Sequence, residues 1–147
     1  MDAPALPRCG DRLHPPADDG GPLVLSADFP ATVRLAQRDV VVGSVTVTNR
    51  DGDRFSGVAA SAADVFVARA GEVVATPMDR DDSGVAVDLR PGGTQPFPAM
   101  VRLTECASTG RLLQPGTYEL HAMLSLTDEF DRPLLVRAAP HAFEAIW

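Results

Sequence analysis

The sequence lacks lysine, and its 147 residues include one isoleucine, one tryptophan, one tyrosine and two cysteines. Because all 13 basic residues are arginines, the composition fits a GC-rich coding bias, which indicates source rather than mechanism. No apolar run approaches the roughly 18 residues that a membrane-spanning helix requires, so direct membrane insertion is not expected. Residues 1–10 also lack the apolar stretch of a secretory signal peptide, and any signal or anchor is therefore expected outside this sequence.

The charge balance lacks the positive excess that nucleic-acid binding requires. The formal net charge is −7 at pH 7, and the isoelectric point is near 4.8. Nucleic acids and anionic membranes are bound through basic surfaces, so neither is a predicted partner. A length of 147 residues predicts one domain, whose folding buries roughly 68–70% of the extended-chain surface, and 45% hydrophobic residues are enough for its core.

The two cysteines, Cys9 and Cys106, are either disulfide-bonded to each other or are two unrelated thiols. A bond between them would close a loop of about 100 residues and contribute roughly 4–5 kcal/mol in the chain-entropy model. The even count, with one cysteine in an otherwise untethered arm, favours the disulfide. Since disulfides persist in oxidising compartments, this pairing predicts an extracytoplasmic protein, either secreted or a membrane-anchored ectodomain.

The clearest strand signal lies in residues 112–127, where a turn at Pro115 and Gly116 precedes a strictly alternating segment. Alternation with a period of two predicts a strand with one buried face. The buried side is predicted to be Tyr118, Leu120, Ala122, Leu124 and Leu126. The exposed side is predicted to be Thr117, Glu119, His121, Met123 and Ser125. Tyr118, placed just after the turn, also indicates a tyrosine corner, whose hydroxyl bonds to nearby backbone in a β-sandwich.

Similar patterns, separated by turn residues, predict short strands along the rest of the chain. The predicted segments are residues 22–28, 31–36, 40–50, 55–61, a hairpin over 64–77 that turns at Ala70 and Gly71, 84–89, 94–106 and 133–147. Eight or nine strands without a helix predict an all-β fold, an Ig-like antiparallel β-sandwich with Greek-key connections. The proline- and glycine-rich residues 1–21 are predicted to form an extended arm anchored only at Cys9, and residues 22–147 the domain.

Four segments resemble, in chain order, the Ig-like family of the BsuPI-type intracellular proteinase inhibitors. They are VTVTNR, DVFVARAGEVV, VDLRPGGTQPFPAMVRL and LQPGTYELHAML, within residues 40–125. The resemblance implies an Ig-like sandwich and, in the type member, inhibition of a serine proteinase. The two cysteines, the proline-rich leader and a different last strand depart from the family and favour an exported relative. No matched motif identifies inhibitory residues.

The sequence contains no recognisable catalytic motif. A serine–histidine–aspartate hydrolase needs a nucleophile on a strained turn with a base in reach, and no G-x-S-x-G segment is present. The histidines are predicted to lie apart: His14 in the arm, His121 on an exposed strand face and His141 near the end of the chain. We therefore predict a protein without enzymatic activity, catalytic residues or a cofactor.

Two weak metal-site hypotheses compete with ordinary structural roles. His121 and Met123 form an H-x-M pair on the outward face of one strand, and Met100 on the preceding strand could join them as a soft ligand for Cu(I). The alternative is a surface histidine and a packed methionine, and it is favoured.

Calcium is the second metal hypothesis. Two acidic turns at one end of a sandwich could supply oxygen ligands from Asn49, Asp51, Asp53, Asp128, Glu129 and Asp131. Aspartate and asparagine are also the common turn formers, and that interpretation is favoured. Asp79, Asp81 and Asp82 are likewise interpreted as a solvated loop.

The apolar C-terminal segment AFEAIW allows two interpretations. Phe143, Ile146 and Trp147 either pack on the core, which is favoured, or expose an apolar edge that a partner strand could join. An exposed Trp147 would indicate a chain cut short or a partner surface. By elimination, the predicted function is a non-enzymatic, extracytoplasmic Ig-like module that mediates contact with an unidentified protein. The alternatives are a BsuPI-type proteinase inhibitor and a copper- or calcium-binding domain.

Overall fold

The computed structural model describes residues 6–13, 21–79, 83–108 and 110–147, which contain eleven strands and no helix. The strands are β1 Leu23–Asp28, β2 Thr32–Arg34, β3 Val40–Asn49, β4 Phe55–Ala60, β5 Asp64–Arg69, β6 Glu72–Ala75, β7 Gly84–Leu89, β8 Thr94–Arg102, β9 Gly116–Asp128, β10 Pro133–Arg137 and β11 His141–Ile146. Two sheets pack face to face, with the core between them.

The smaller sheet has three antiparallel strands in the order β1-β3-β8. β3 lies at its centre, where a run of valine and threonine residues favours extended backbone. Within β3, Gly43 faces inward, and a Cβ atom there would overlap the ring of Phe29. Phe29 is buried against the core because this position carries no side chain.

The larger sheet is organised around the 13-residue strand β9. Along one edge, β9 pairs with β11 and then with β10, and along the other it pairs with β5 and then with β4. β2, β6 and β7 extend the sheet outward from β11, β5 and β4. Gly57 of β4 allows close pairing, since a Cβ atom there would overlap the carbonyl oxygen of Thr127 in β9. The segment predicted to dominate the fold is therefore the strand with the most neighbours.

The predicted inward-facing positions of β9 are confirmed, and alternate residues of β3 and β8 are buried in the same way. The buried residues include Val41, Val45, Val47, Phe97, Ala99, Val101, Leu103, Tyr118, Leu120, Ala122, Leu124 and Leu126. The hairpin turn is also confirmed, since Ala70 and Gly71 have φ of 52° and 83°. These positive angles are those of a two-residue turn whose twist matches that of the flanking strands.

The predicted all-β, Ig-like sandwich is confirmed, but the expected count of eight or nine strands is too low. The segment 133–147 is broken around Pro140 into β10 and β11, since proline cannot donate a ladder hydrogen bond. The larger sheet is also mixed rather than purely antiparallel, because β2 pairs with β11 in parallel.

The described part of the arm, residues 6–13, is held by more than Cys9. Gly10 N–H donates to Val73 O at 2.9 Å, Val73 N–H to Asp11 O at 2.8 Å, and Leu13 N–H to Gly71 O at 2.6 Å. The expectation of a single anchor is therefore wrong. Without the arm, the outer edge of β6 would carry unpaired backbone N–H and C=O groups. Residues 10–13 of the arm form hydrogen bonds to this edge, as a short additional strand would.

Candidate functional site

The outer face of β9 is covered, and the prediction that His121 and Met123 face solvent is wrong. Only 7% of His121 and 3% of Met123 is exposed. Met123 packs in a small second core with Phe66 and Val73, against which Leu13 of the arm also packs. The arm therefore gives β9 a second buried face, which a period-two pattern cannot reveal.

A cavity of about 300 Å³ lies between the arm and this face of the sheet. His121 and Met123 both line it, together with Leu6 and Leu13 of the arm and Arg137 at the end of β10. His121 and Met123 thus contribute one nitrogen-bearing and one sulfur-bearing side chain to the lining of the same cavity.

The His121 ring has an unsatisfied polar atom. Among the described residues, its buried Nε2 has no hydrogen-bond partner. Burial lowers the pKa of His121 below its ordinary value of 6.5, and the nearby Glu119 carboxylate opposes that shift only partly. Because burial disfavours the charged ring, His121 is held in the neutral form. Burying an imidazole nitrogen without a hydrogen-bond partner lowers the stability of the folded state, so such a nitrogen is a candidate ligand-binding group.

The third predicted copper ligand lies elsewhere. Met100 belongs to β8 of the smaller sheet, where it pairs with Val42 and points to the outer surface with 42% of its area exposed. β8 precedes β9 in the chain, but the two strands belong to different sheets. The structure therefore separates Met100 from His121 and Met123.

The first predicted calcium loop uses its polar groups internally. Asn49 is fully buried, and its Nδ2 donates to Asp53 O at 2.9 Å and to Leu89 O at 3.0 Å. Asn49 Oδ1 accepts from Asp51 N–H at 3.0 Å, and Asp51 Oδ1 accepts from Gly52 N–H at 2.8 Å. These bonds form an asparagine-centred turn.

The second predicted calcium loop is built in the same way. The Asp128 carboxylate accepts from the backbone N–H groups of Phe130 and Arg132 and from Arg132 Nε. The Arg132 backbone bond is the main cause that lowers the pKa of Asp128. Glu129 lies within this turn and Asp131 takes a positive φ in it.

The strand register supports the expectation that the two acidic loops share one end of the sandwich. Gly57, near the start of β4 and just after the first loop, pairs with Asp128, where β9 ends and the second loop begins. Even so, among the residues that the structure describes, no three His, Cys, Asp or Glu side chains form a group that could hold a metal ion. The turn-forming interpretation of these six residues accounts for the hydrogen bonds seen. Asp79 is described outside any strand, whereas Asp81, Asp82 and His14 lie outside the described residues.

The predicted disulfide is present. Cys9 is bonded to Cys106 across a separation of 97 residues. Cys106 N–H also donates to Val74 O at 2.9 Å, so the loop after β8 pairs with β6 next to the bond. The disulfide therefore fixes the arm to the β5–β6 hairpin and to the β8–β9 connection at one point.

The tyrosine corner is also present. Tyr118 is buried, and its hydroxyl donates to the backbone carbonyl of Gln114, four residues upstream. The Pro115–Gly116 turn brings Gln114 back toward the ring. Tyr118 stacks on Phe143 with ring centroids 5.7 Å apart, and this contact joins β9 to β11. These residues stabilise the fold and leave no reactive group exposed.

A groove of about 470 Å³ lies between β3 and the β2–β11 edge. Val42, which is 56% exposed, and Ile146 both line it. Met100 lies directly opposite Val42 on β8, and Trp147, which is 70% exposed, follows Ile146. We call these four residues and the groove the Val42 surface. The favoured packing of the C-terminal segment is thus confirmed for Phe143 and wrong for Trp147, which extends past the last paired residue of β11.

The Val42 surface has the opposite charge to the chain as a whole. Arg34 and Arg38 line the groove, Arg102 lies opposite Val40 at its margin, and none of the described lining residues is acidic. The chain carries a net charge of −7. Sequence reasoning missed this surface because its members come from four separate strands and flanking turns. Their one visible signal is the alternation that places Val42 outward between the buried Val41 and the inward-facing Gly43.

Two further observations bear on function. No helix in the described residues is long and apolar enough to cross a membrane.

His141, the third histidine, places Nε2 at 3.2 Å from Pro30 O and its ring at 5.9 Å from that of Phe29. It therefore has a structural partner, in contrast to His121.

No protein-family model and no curated protein sequence matches the chain. Three of the similar solved structures are a β-glucosidase from Erythrobacter marinus (17% identity, TM-score 0.46), the alkylpurine DNA glycosylase AlkC from Pseudomonas fluorescens (16%, 0.46) and a CARDB domain from Pyrococcus furiosus solved with di-metal ions (14%, 0.47). The matches cover 84%, 86% and 99% of this chain. The chain spans only 15% of the glucosidase and 31% of the glycosylase, but all of the CARDB domain.

Proposed function

We propose that this chain is a non-enzymatic, extracytoplasmic Ig-like module that binds another protein through the Val42 surface. The observation that carries the proposal is that Val42 and Met100, paired across β3 and β8, are both exposed beside a groove of about 470 Å³. Val42 and Ile146 line this groove, and the exposed Trp147 follows Ile146 in the chain. Large apolar side chains grouped on a surface mark interaction sites, whereas scattered ones need no explanation. Tryptophan, methionine and arginine, all present here, are enriched in protein interfaces.

The chemistry of the groove defines the partner. Arg34 and Arg38 stand at an apolar groove in a chain that is otherwise acidic. Such a surface is complementary to a protein segment that presents an apolar anchor flanked by aspartate or glutamate. A basic partner would instead be attracted to the acidic remainder of the molecule. We therefore expect an acidic, apolar partner surface whose affinity falls as salt concentration rises.

The extracytoplasmic location rests on the Cys9–Cys106 bond. Structural disulfides form and persist in oxidising compartments and are rare in the reducing cytosol. The chain has no other cysteine, so the bond has no competing thiol within the molecule. Export would let the disulfide form during folding.

Site-specific photocrosslinking in the cells that make the protein tests the proposal. A photoreactive phenylalanine analogue at Val42 or Met100 should yield one discrete adduct with another protein. The matched control is Val58, which is 49% exposed on β4 of the other sheet and should yield no such adduct. Charge reversal at Arg34 and Arg38 should abolish the adduct while leaving the melting temperature within a few degrees of the unmodified protein.

Three outcomes would overturn the proposal. They are equal adducts at Val42 and Val58, no adduct at either Val42 or Met100, and an adduct that contains only a second copy of this chain. An adduct that survives charge reversal at Arg34 and Arg38 would retain the site but reject the acidic partner.

The alternative, inhibition of a serine proteinase, follows from the resemblance to the BsuPI-type family. An inhibitor of this kind would present a loop and titrate a subtilisin-like enzyme with one-to-one stoichiometry. A proteinase panel at micromolar concentrations distinguishes the two functions. Stoichiometric inhibition that persists when Val42 and Met100 are replaced by glutamate would favour the inhibitor over the Val42 surface.

A further inference from the structure

The cavity under the arm brings together two side chains that share a ligand preference. His121 and Met123 are alternate residues of β9, so both point to the same face and their Cα atoms lie about 6.8 Å apart. Both line the cavity of about 300 Å³, and both are more than nine-tenths buried. Both side chains therefore border one cavity.

The unsatisfied His121 nitrogen indicates that something other than the described protein completes this site. Nε2 is buried and without a hydrogen-bond partner in the described residues. His141, in contrast, has Pro30 O within 3.2 Å. A metal ion would satisfy the Nε2 lone pair, and a neutral imidazole is the form that binds metals.

The donor set and the local charge select the kind of metal. Imidazole nitrogen with thioether sulfur is a soft set, whereas calcium and magnesium prefer oxygen ligands. The carboxylate of Asp11 also lines the cavity, but its Oδ2 accepts from Arg8 N–H at 2.8 Å. Arg12 and Arg137 line the same cavity, and their positive charges oppose a divalent ion more strongly than a monovalent one.

We propose that His121 Nε2 and Met123 Sδ bind one monovalent soft metal ion, Cu(I), in the cavity between the arm and β9. Cu(I) accepts low coordination numbers, so two protein ligands suffice to hold it, and an external ligand can complete the site. The arm, joined to the domain by the Cys9–Cys106 bond, forms one wall of the cavity. The cavity and the Val42 groove share no lining residue, so the two sites can be tested independently.

Competition with bicinchoninate, a chromophoric Cu(I) chelator, measures this binding directly. The protein is kept with ascorbate rather than a thiol, so that copper stays reduced and the disulfide stays intact. We expect one equivalent of Cu(I) per chain, with His121→Gln and Met123→Leu each weakening the affinity at least tenfold. The exposed Met100→Leu and the partnered His141→Gln are the matched controls, and both should bind as the unmodified protein does.

Stability measurements separate loss of a ligand from loss of folding. Met123→Leu nearly conserves volume and should keep the melting temperature of the metal-free protein within a few degrees. Cu(I) should raise the melting temperature of the unmodified protein and not that of Met123→Leu, since a ligand bound only by the folded state stabilises it. The proposal is overturned if the protein takes no Cu(I) from the chelator, if both site variants bind normally, or if Met100→Leu lowers the affinity as much as Met123→Leu.

Discussion

Asn49 donates its side-chain amide to the carbonyl oxygen of Leu89 at 3.0 Å, although the two residues end strands of different sheets. The same nitrogen donates to Asp53 O, and Asn49 N–H donates to Gly93 O at 3.0 Å. Asn49 therefore closes one end of the sandwich by joining the β3–β4 turn to β7. A residue that resembles a calcium ligand in the sequence is a buried connection between the sheets.

The first prediction concerns this connection. Asn49→Ala should lower the free energy of unfolding by about 3 kcal/mol, because it removes the donor to the buried Leu89 O and to the partly buried Asp53 O. Asp51→Ala removes an exposed carboxylate that accepts from Gly52 N–H, and it should change the free energy of unfolding by less than about 0.5 kcal/mol. Urea unfolding of both variants provides the comparison. Equal losses would contradict the role assigned to Asn49.

The second prediction tests the tyrosine corner. Tyr118→Phe keeps the stacked contact with Phe143 and removes only the hydrogen bond to Gln114 O. The expected loss is about 1 kcal/mol, the ordinary net value of one such bond. Denaturant unfolding with an unchanged slope would show that the fold is retained. A loss above about 3 kcal/mol would mean that ring packing was disturbed as well.

Much of the fold follows from the sequence because its strands alternate. Val45, Val47, Phe97 and Val101 were assignable to the core from a period of two, since each has one covered face. The turn at Ala70 and Gly71 was assignable from Gly71, because glycine tolerates a positive φ, whereas the positive φ of Ala70 has no such signal in its residue type. These signals are local and require no knowledge of which strands pair.

The burial of His121 and Met123 could not be predicted from the same signals. Their strand alternates, but the arm, more than a hundred residues earlier in the chain, covers its second face. The prediction that Met100 lies beside His121 and Met123 was wrong for a related reason. Strand order along the chain does not reveal which sheet a strand joins. The Val42 surface likewise depends on β2 pairing in parallel with β11, which no local pattern encodes.

The third prediction concerns the disulfide. Replacing Cys9 and Cys106 by serine should lower the free energy of unfolding by about 4–5 kcal/mol. The reason is that the unfolded chain is no longer constrained by a bond between two residues 97 positions apart. Loosening of the arm should also expose Phe66 and Val73, which a hydrophobic dye would detect at low denaturant concentration. Denaturant unfolding gives the first quantity, and a loss below about 1 kcal/mol would contradict it.

The fourth prediction uses the protonation of His121 in metal-free protein. Folding lowers the pKa of this imidazole, chiefly through burial, so the unfolded chain binds the proton more tightly. Stability from the neutral ring is complete above the ordinary pKa of 6.5 and is lost as pH falls from there toward the lower pKa of the folded state. The free energy of unfolding should therefore decrease between about pH 7 and pH 5, well above the range in which the lowered pKa of Asp128 acts.

His121→Gln separates this effect from the rest of the molecule, because glutamine keeps polarity without titrating. With a chelator present, the variant should lose most of the slope between about pH 7 and pH 5, whereas His141→Gln should retain it. The slope in the unmodified protein must be positive with rising pH, since the unfolded state holds the additional proton. A slope that survives in His121→Gln would assign the acid sensitivity to another group.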